Sequence, residues 1–224
     1  MLDKFGFDLW AEDYDKTVEI SESEDEYPFA GYKSVLAYIY DAVRKMKAKK
    51  VLDIGFGTAI LSKKLYDDGL EIHGQDFSKN MLDIALQKMP KAKLYEGDFA
   101  KALDKNILNE KYDAILATYS IHHIIDAEKK DFLMTLISLL NDDGKIFIGD
   151  VSFLDKKSLE SCIEKSKDYW DDDEHYIVYE SIKKDFPKAI FKKMALCQIL
   201  GRLIELSLSF YIKTNIYTYF SLYT

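Results

Sequence analysis

Cysteine is scarce in this chain, which has two such residues, Cys162 and Cys197, among 224. They lie far apart and lack the short spacing of a thiolate metal site, so we interpret them as isolated reduced thiols. His175 follows the acidic run at 171–174, and this pattern fits a solvated loop better than a metal site. The sequence therefore predicts no bound metal.

Long hydrophobic runs and an excess of basic residues are also missing. No stretch of about 18 uncharged apolar residues occurs, and the first residues lack the pattern of a signal peptide, so we expect a cytoplasmic protein with no membrane partner. The chain has 31 Lys and Arg against 39 Asp and Glu, for a net charge of −8. Since phosphate binding depends on clustered Lys and Arg, nucleic acid is not an expected partner.

Strand-like and helix-like segments alternate along a chain of 224 residues, which has room for one sizeable domain. Such alternation predicts a doubly wound α/β fold, with a mostly parallel sheet and helices on both faces. The predicted strands are residues 51–54, 70–75, 92–96, 112–117 and 145–149. Helical patterns cover residues 3–15, 28–47 and 58–67, begin at the N-cap Ser78, and follow Asp126 up to a turn at 141–144.

A strand followed by a glycine turn and a helix is the most informative pattern, at residues 51–64 (VLDIGFGTAILSKK). Gly55 and Gly57 let the backbone turn tightly and let a ligand approach. The helix that follows offers its unpaired N–H groups to an anion. This combination is typical of sites that bind a nucleotide-like cofactor.

Asp53, at the end of the predicted strand, distinguishes between such cofactors. Dinucleotide-binding strands normally run apolar up to the first glycine, because a carboxylate there would repel the pyrophosphate of the ligand. An acid at this point suits a ligand that carries an ammonium group, such as the methionine end of S-adenosylmethionine.

Acidic residues also follow the next two predicted strands, at the sheet edge where open α/β sheets bind ligands. Asp76 stands twenty-odd residues beyond the glycine turn, where its carboxylate can accept two ribose hydroxyls. Asp98 can take an adenine amino group, and the ring of Phe99 can cover the base. Three acids, each suited to a separate part of one ligand, are stronger evidence than one.

The end of the fourth predicted strand, at residues 117–123, is where a transferred group would meet its acceptor. Histidine titrates near neutral pH, so His122 or His123 could act as a base or orient the substrate. Adjacent residues leaving a strand point in different directions, so both cannot easily serve. The alternative is that both are hydrogen-bonded structural residues.

With these residues in place, the chain resembles the class I S-adenosylmethionine-dependent methyltransferases over about residues 5–206. The positions that carry the resemblance lie at the predicted strands and their ends. They are residues 53–59 (DIGFGTA) for the first motif, Asp76 for the ribose acid, Asp98 and Phe99 for the adenine pair, and residues 112–118 (YDAILAT) for the fourth-strand motif.

The resemblance implies a fold, an activity and a set of residues. It implies a seven-stranded sheet in a single domain, with residues 1–47 as a helical cap or lid and 48–206 as a Rossmann-like core. Residues 7–15 and the paired histidines are similar to a subgroup that methylates small molecules, so a small-molecule acceptor is expected. The cofactor-binding residues are then Asp53, Gly55, Gly57, Thr58, Asp76, Phe77, Met81, Asp98, Phe99, Thr118 and Tyr14, and the candidate catalytic residues are His122 and His123.

The chain departs from the family pattern at two places. Ala59 stands where the family usually has a third glycine, and we expect binding to survive there unless the turn needs a positive φ. The fold normally closes with an antiparallel hairpin, which residues 190–196 and 199–206 could supply, although 196–204 also fit helical spacing. Residues 207–224 are not explained by the resemblance.

Aromatic side chains are expected near the positive charge of the cofactor, where a cation–π contact contributes about 0.5 to 2 kcal/mol. Tyr14 is the first candidate and Tyr32 a weaker second, with packing of the lid as the alternative for both. Two rival functions stay open. A cofactor-binding protein without catalysis would keep the same acids, whereas an NAD(P)-dependent oxidoreductase would share the glycine turn and Asp76 but is disfavoured by Asp53.

Overall fold

The computed structural model of the protein describes residues 32–167, 170–187, 189–197 and 203–209. Tyr14, most of the segment predicted as a lid, and most of the predicted C-terminal extension lie outside the described residues.

Five parallel strands form the centre of the fold, in the order β3-β2-β1-β4-β5, and this part of the predicted α/β fold is confirmed. Side chains alternate along the central strand, because Val51 faces one hydrophobic core while Leu52 and Ile54 face the other. Both faces of the sheet are therefore buried. The strands are β1 (Lys50–Ile54), β2 (Glu71–Asp76), β3 (Lys93–Glu96), β4 (Tyr112–Thr118) and β5 (Leu140–Gly149).

Helices pack on both faces of this sheet, with α1, α2 and α3 on one face and α4, α5 and α7 on the other. Ser78 caps α3 by accepting a hydrogen bond from the Met81 N–H, as predicted. Within the described residues, no helix is long and apolar enough to cross a membrane. The helices are α1 (Tyr32–Lys45), α2 (Ile60–Asp67), α3 (Lys79–Lys88), α4 (Lys105–Leu108), α5 (Asp126–Ser138), α6 (Lys156–Lys165) and α7 (Tyr179–Asp185).

The turn predicted at 141–144 is wrong, because these residues belong to β5. Leu140 already pairs with Tyr112, and the next pair joins Lys145 to Ala114, so residues 141–144 form an irregular bulge in the strand. The side-chain amide of Asn141 donates to Asp113 Oδ1 across 2.7 Å, which holds the bulge against β4. Turn-forming residue types therefore mark a bulge here.

Two strands near the C-terminus pair antiparallel, β8 (Ile190–Cys197) with β9 (Leu203–Ser209). β9 lies beside β5 through the pair Ile148 and Leu208. The expected second strand, 199–206, is strand over its described residues, 203–206, and β9 continues to Ser209, into the segment that the resemblance left unexplained. Over 196–197 and 203–204, which are strand, the helical alternative is wrong.

A small parallel pair that the sequence did not predict joins β6 (Ser152–Phe153) to β7 (Ile177–Val178). It brings the described residues 170–176 back to the carboxyl end of β4, where the His175 N–H donates to the His122 carbonyl across 2.8 Å. This segment therefore contributes to the surroundings of the paired histidines.

Candidate active site

The loop after β1 contains three residues in left-handed conformation, Gly55, Gly57 and Ala59, with φ of +67°, +52° and +62°. Glycine is required at 55, because a Cβ there would lie 2.5 Å from Ser120 Cβ. Ala59 is the N-cap residue of α2 and makes no side-chain cap hydrogen bond. The positive φ on which the expectation for Ala59 was conditional is present, at a cost of about 1 to 2 kcal/mol for a residue with a Cβ.

Asp53 lies at the end of β1 and is 2% exposed. Its Oδ2 accepts a hydrogen bond from the Ser62 hydroxyl, whereas its Oδ1 has no hydrogen-bond partner among the described residues. Burial raises the pKa of Asp53 to about 7, with the Ser62 hydrogen bond opposing and the charge of Asp76 adding to the shift. A cationic group in the cleft would satisfy Oδ1 and favour the ionised form.

Asp76, at the end of β2, is buried and joined to the glycine loop. Its Oδ2 accepts the Gly57 N–H across 2.9 Å, and its Oδ1 accepts the Ser78 N–H across 2.9 Å. A carboxylate offers about four acceptor sites, so Asp76 is chemically suited to accept ligand hydroxyls as well. Asp76 thus fixes the loop and presents a carboxylate to the same cleft.

The end of β3 separates the two residues that were predicted to contact an adenine. Phe99 is buried and lines the cleft. Asp98 is partly exposed, accepts the Ala100 N–H across 3.0 Å and lies 2.9 Å from Lys101 Nζ. Among the described residues that line the cleft, Asp98 does not appear. It lies instead in a capped turn directly before Phe99.

An open cleft lies at the carboxyl ends of β1, β2 and β4. Nine residues predicted to bind the cofactor and one predicted catalytic histidine line it. These are Asp53, Gly55, Gly57, Thr58, Asp76, Phe77, Met81, Phe99, Thr118 and His123.

His122 does not line this cleft in the part of the chain that the structure describes, and it forms a buried ion pair instead. Its Nδ1 lies 2.8 Å from Asp150 Oδ1, and its Nε2 lies 3.7 Å from Glu174 Oε1. Burial opposes protonation, but the charge and hydrogen bond of Asp150, with Glu174 beyond, raise the pKa of His122 above its usual range. His122 is therefore a buried residue whose protonated form is favoured by Asp150.

His123 lines the cleft and packs against His122, with ring centroids 4.2 Å apart. Burial, together with the positive charge of His122, lowers the pKa of His123 to about 3. The imidazole of His123 is consequently neutral at ordinary pH. A group with so low a pKa is a weak base, so this ring is suited to hydrogen bonding rather than to removing a proton.

Asp150 and Tyr119 are site residues that sequence reasoning missed. Asp150 directly follows β5, and its Oδ2 accepts the N–H groups of Ile121 and His122 across 3.0 and 3.2 Å. The signal that could have identified Asp150 is its position, an acid directly after the fifth strand. Tyr119 lines the cleft with a φ of +51°, and no sequence signal marks a tyrosine for that conformation.

No group of three His, Cys, Asp or Glu side chains within the described ranges is arranged to hold a metal ion. Cys162 is a buried free thiol.

Comparison with known proteins places this site in context. A family model described as a methyltransferase domain matches residues 52–146. An uncharacterized methyltransferase of Geobacillus kaustophilus is 35% identical over 162 residues, which are 72% of this chain and 72% of the relative. Another, of Alkaliphilus oremlandii, is 35% identical over 166 residues, which are 73% of this chain and 75% of the relative.

Among solved structures, the magnesium protoporphyrin IX methyltransferase of Synechocystis, with bound SAH, matches with a TM-score of 0.59. The sequence identity is 17%, and the match covers 81% of this chain and 85% of that chain. At this identity the likeness concerns the fold.

Proposed function

The chain belongs to the class I S-adenosylmethionine-dependent methyltransferases, and from that premise we propose that it transfers a methyl group to a small-molecule acceptor bound at the described cleft. S-adenosylmethionine is its cofactor. The small-molecule part of the proposal is supported by the concave form of the cleft, which is lined by apolar and polar side chains, and by the net charge of −8, which disfavours nucleic acid.

The buried carboxylate of Asp53 is the observation that carries the proposal. Asp53 lines the cleft, and its buried Oδ1 has no hydrogen-bond partner among the described residues; a buried polar atom left unsatisfied is costly. The ammonium of a methionine group would satisfy it. The pyrophosphate of NAD would instead meet the carboxylate of Asp53 beside the glycine loop, so the oxidoreductase alternative is disfavoured.

The remaining contacts follow from the order of residues along the cleft. We propose that the N–H groups of the glycine loop and Thr58 approach the methionine part, and that Asp76 accepts the ribose hydroxyls. Phe77, Met81 and Phe99 supply apolar surface for the base. Asp98 would reach the adenine amino group from its capped turn. Thr118 and Tyr14 are the remaining proposed cofactor-binding residues, and Tyr14 lies outside the described residues.

The cofactor supplies a methyl group that is already activated on its sulfonium, so the protein has to position the acceptor and exclude water. We propose that neutral His123 orients the acceptor by a hydrogen bond. His122 touches its ring and is fixed by Asp150, so we assign His122 a positioning role. A proton on the acceptor, where one must leave, would then pass to solvent or to another group of the acceptor.

We also propose three features of the fold that the resemblance implies: the helical cap, the single domain and the seven-stranded sheet. Tyr32 and Leu36 of α1 line the cleft, which supports residues 1–47 as a helical cap over a core of one domain. The pairing of β9 with β5 supports a seven-stranded sheet. We also retain the cytoplasmic location that was expected from the sequence.

Calorimetry tests the proposed cofactor site. S-adenosylmethionine and its demethylated product should bind with micromolar affinity, while NAD should give no heat. Asp53→Asn is the matched variant, because it keeps the shape of the side chain and removes its charge, and it should weaken both expected ligands. Tight binding of NAD with no heat from S-adenosylmethionine would overturn the proposal.

A labelled methyl group tests the acceptor class. The protein and cofactor are incubated separately with a small-molecule extract, a protein extract and total RNA. We expect label in the small-molecule fraction, and label confined to protein or RNA would refute that class of acceptor. Tight cofactor binding with no label in any fraction would favour the alternative of a binding protein without catalysis.

A further inference from the structure

Tyr119, the first residue after β4, has a backbone conformation that tyrosine rarely adopts. Its φ is +51°, in the left-handed region where glycine and asparagine are favoured and a bulky side chain is disfavoured. The residue is nonetheless buried and lines the cleft. Contacts with neighbouring residues must therefore stabilise Tyr119 in this strained conformation.

Packing between α1 and the end of β5 holds this arrangement. The Tyr119 N–H donates to the Gly149 carbonyl across 2.7 Å. A Cβ at Gly149 would lie 2.4 Å from Val35 Cγ1, so glycine is what allows α1 to approach the end of the sheet. Tyr32 lies one helical turn before Val35 and on the same side of α1. The close approach of the helix therefore brings Tyr32 next to Tyr119.

The rings of Tyr32 and Tyr119 meet with centroids 5.1 Å apart and planes inclined by 45°. Both line the cleft, and we call this pair the aromatic wall. The same cleft contains the carboxylates of Asp53 and Asp76, and no Lys or Arg is found among its lining residues within the described part of the chain. Aromatic faces beside carboxylates, with no competing cation, form a surface that favours a positively charged ligand.

We propose that Tyr119 is a specificity-determining residue which, with Tyr32, recognises the positive sulfonium of the methyl donor in preference to the uncharged thioether of the demethylated product. This inference rests on the proposed function. The two ligands differ by one methyl group and one positive charge, so a preference between them reports directly on recognition of the charge. The aromatic wall favours binding of the donor over rebinding of the product.

Calorimetry with donor and product separately, at pH 7, tests the aromatic wall without any acceptor. Tyr119→Asn removes the ring and suits a left-handed backbone, so the fold should be retained. It should lower the ratio of donor affinity to product affinity by about 2- to 30-fold. Tyr119→Phe keeps the aromatic face and should leave the ratio within about twofold of the wild type.

Tyr32→Leu is a second variant that does not touch the strained residue, and it should change the ratio in the same direction. Tyr38→Leu is the matched control, because Tyr38 lies on α1 but outside the lining of the cleft, and its ratio should equal that of the wild type. Equal losses for both ligands in Tyr119→Asn would overturn the aromatic wall alone. Wild-type protein that binds neither ligand would overturn the proposed function as well.

Discussion

The two halves of the cleft are held together by different kinds of contact. In the glycine-loop half, residues 53–78, the hydrogen bonds of Asp53 and Asp76 join residues that are 2, 9 and 19 positions apart. In the turn half, which comprises residues 119–124 and Asp150, the hydrogen bonds of Ser120 and His122 join residues that are 66 and 28 positions apart. Short-range geometry is encoded locally, whereas the turn half exists only once distant elements have packed.

The largest expected effect is on the turn half. Asp150→Asn removes the charge that pairs with His122, in a site where Asp150 is 1% exposed. Breaking one partner of a buried pair typically costs about 3 to 5 kcal/mol, and we expect a loss of that size in the free energy of unfolding. Urea denaturation at pH 6 measures it.

The control for this comparison is Asp83→Asn, because Asp83 pairs with Lys79 and the two side chains are 51% and 49% exposed. It should cost less than about 1 kcal/mol. The pH adds a second check. The pKa of His122 is raised in the folded protein, so the contribution of the pair is fully present below about pH 6.5 and is lost as the pH rises through the folded-state pKa. A loss below about 1 kcal/mol at pH 6 would contradict the buried ion pair.

The second effect belongs to the glycine-loop half and concerns binding. Asp76→Ala removes the proposed acceptor of the ribose hydroxyls and the partner of the Gly57 N–H. Cofactor binding should weaken by roughly 2 to 4 kcal/mol, measured by calorimetry. Asp67→Ala is the control, since Asp67 lies on α2 outside the lining of the cleft and pairs with Lys63 at an exposed position, and it should have a much smaller effect. A loss below roughly 0.5 kcal/mol for Asp76→Ala would make Asp76 only a turn residue.

The third effect is a pH dependence of cofactor affinity, which we expect from Asp53 in the glycine-loop half. Asp53 has its pKa raised to about 7 by burial, so below pH 7 a bound ammonium must displace a proton. Affinity for S-adenosylmethionine should fall by roughly tenfold per pH unit between pH 7 and pH 5. Calorimetry in buffers of different ionisation enthalpy would detect the released proton. In Asp53→Asn this pH dependence should disappear, and a wild-type affinity that is constant from pH 5 to 7 would contradict the prediction.

These differences show which parts of the molecule the sequence could predict. The five parallel strands, the N-cap Ser78 and the position of Asp53 and Asp76 follow from local periodicity and from residue types at strand ends. The left-handed backbone of Tyr119 could not be predicted, because no local signal marks it and its N–H bonds the distant Gly149 carbonyl. At Ala59 the only signal was the glycine that the family usually has there. The pairing of His122 with Asp150 could not be predicted either, because it requires the ends of β4 and β5 to lie side by side. Asn141 lies in a bulge and not in a turn, where its side chain bonds Asp113 on β4.

The smallest expected effect lies inside the glycine-loop half, at the one residue there with an unfavourable backbone. Ala59 has a φ of +62°, so Ala59→Gly removes the steric cost of its Cβ but adds backbone entropy to the unfolded chain. The free energy of unfolding should rise by about 0.5 to 1 kcal/mol, since the left-handed cost exceeds the entropy term. Ala85→Gly is the matched control within the helix α3, where φ is ordinary and glycine should destabilise by about 1 kcal/mol. Chemical denaturation of both variants gives the comparison, and a loss of stability of equal size in the two would show that the turn carries no strain at Ala59.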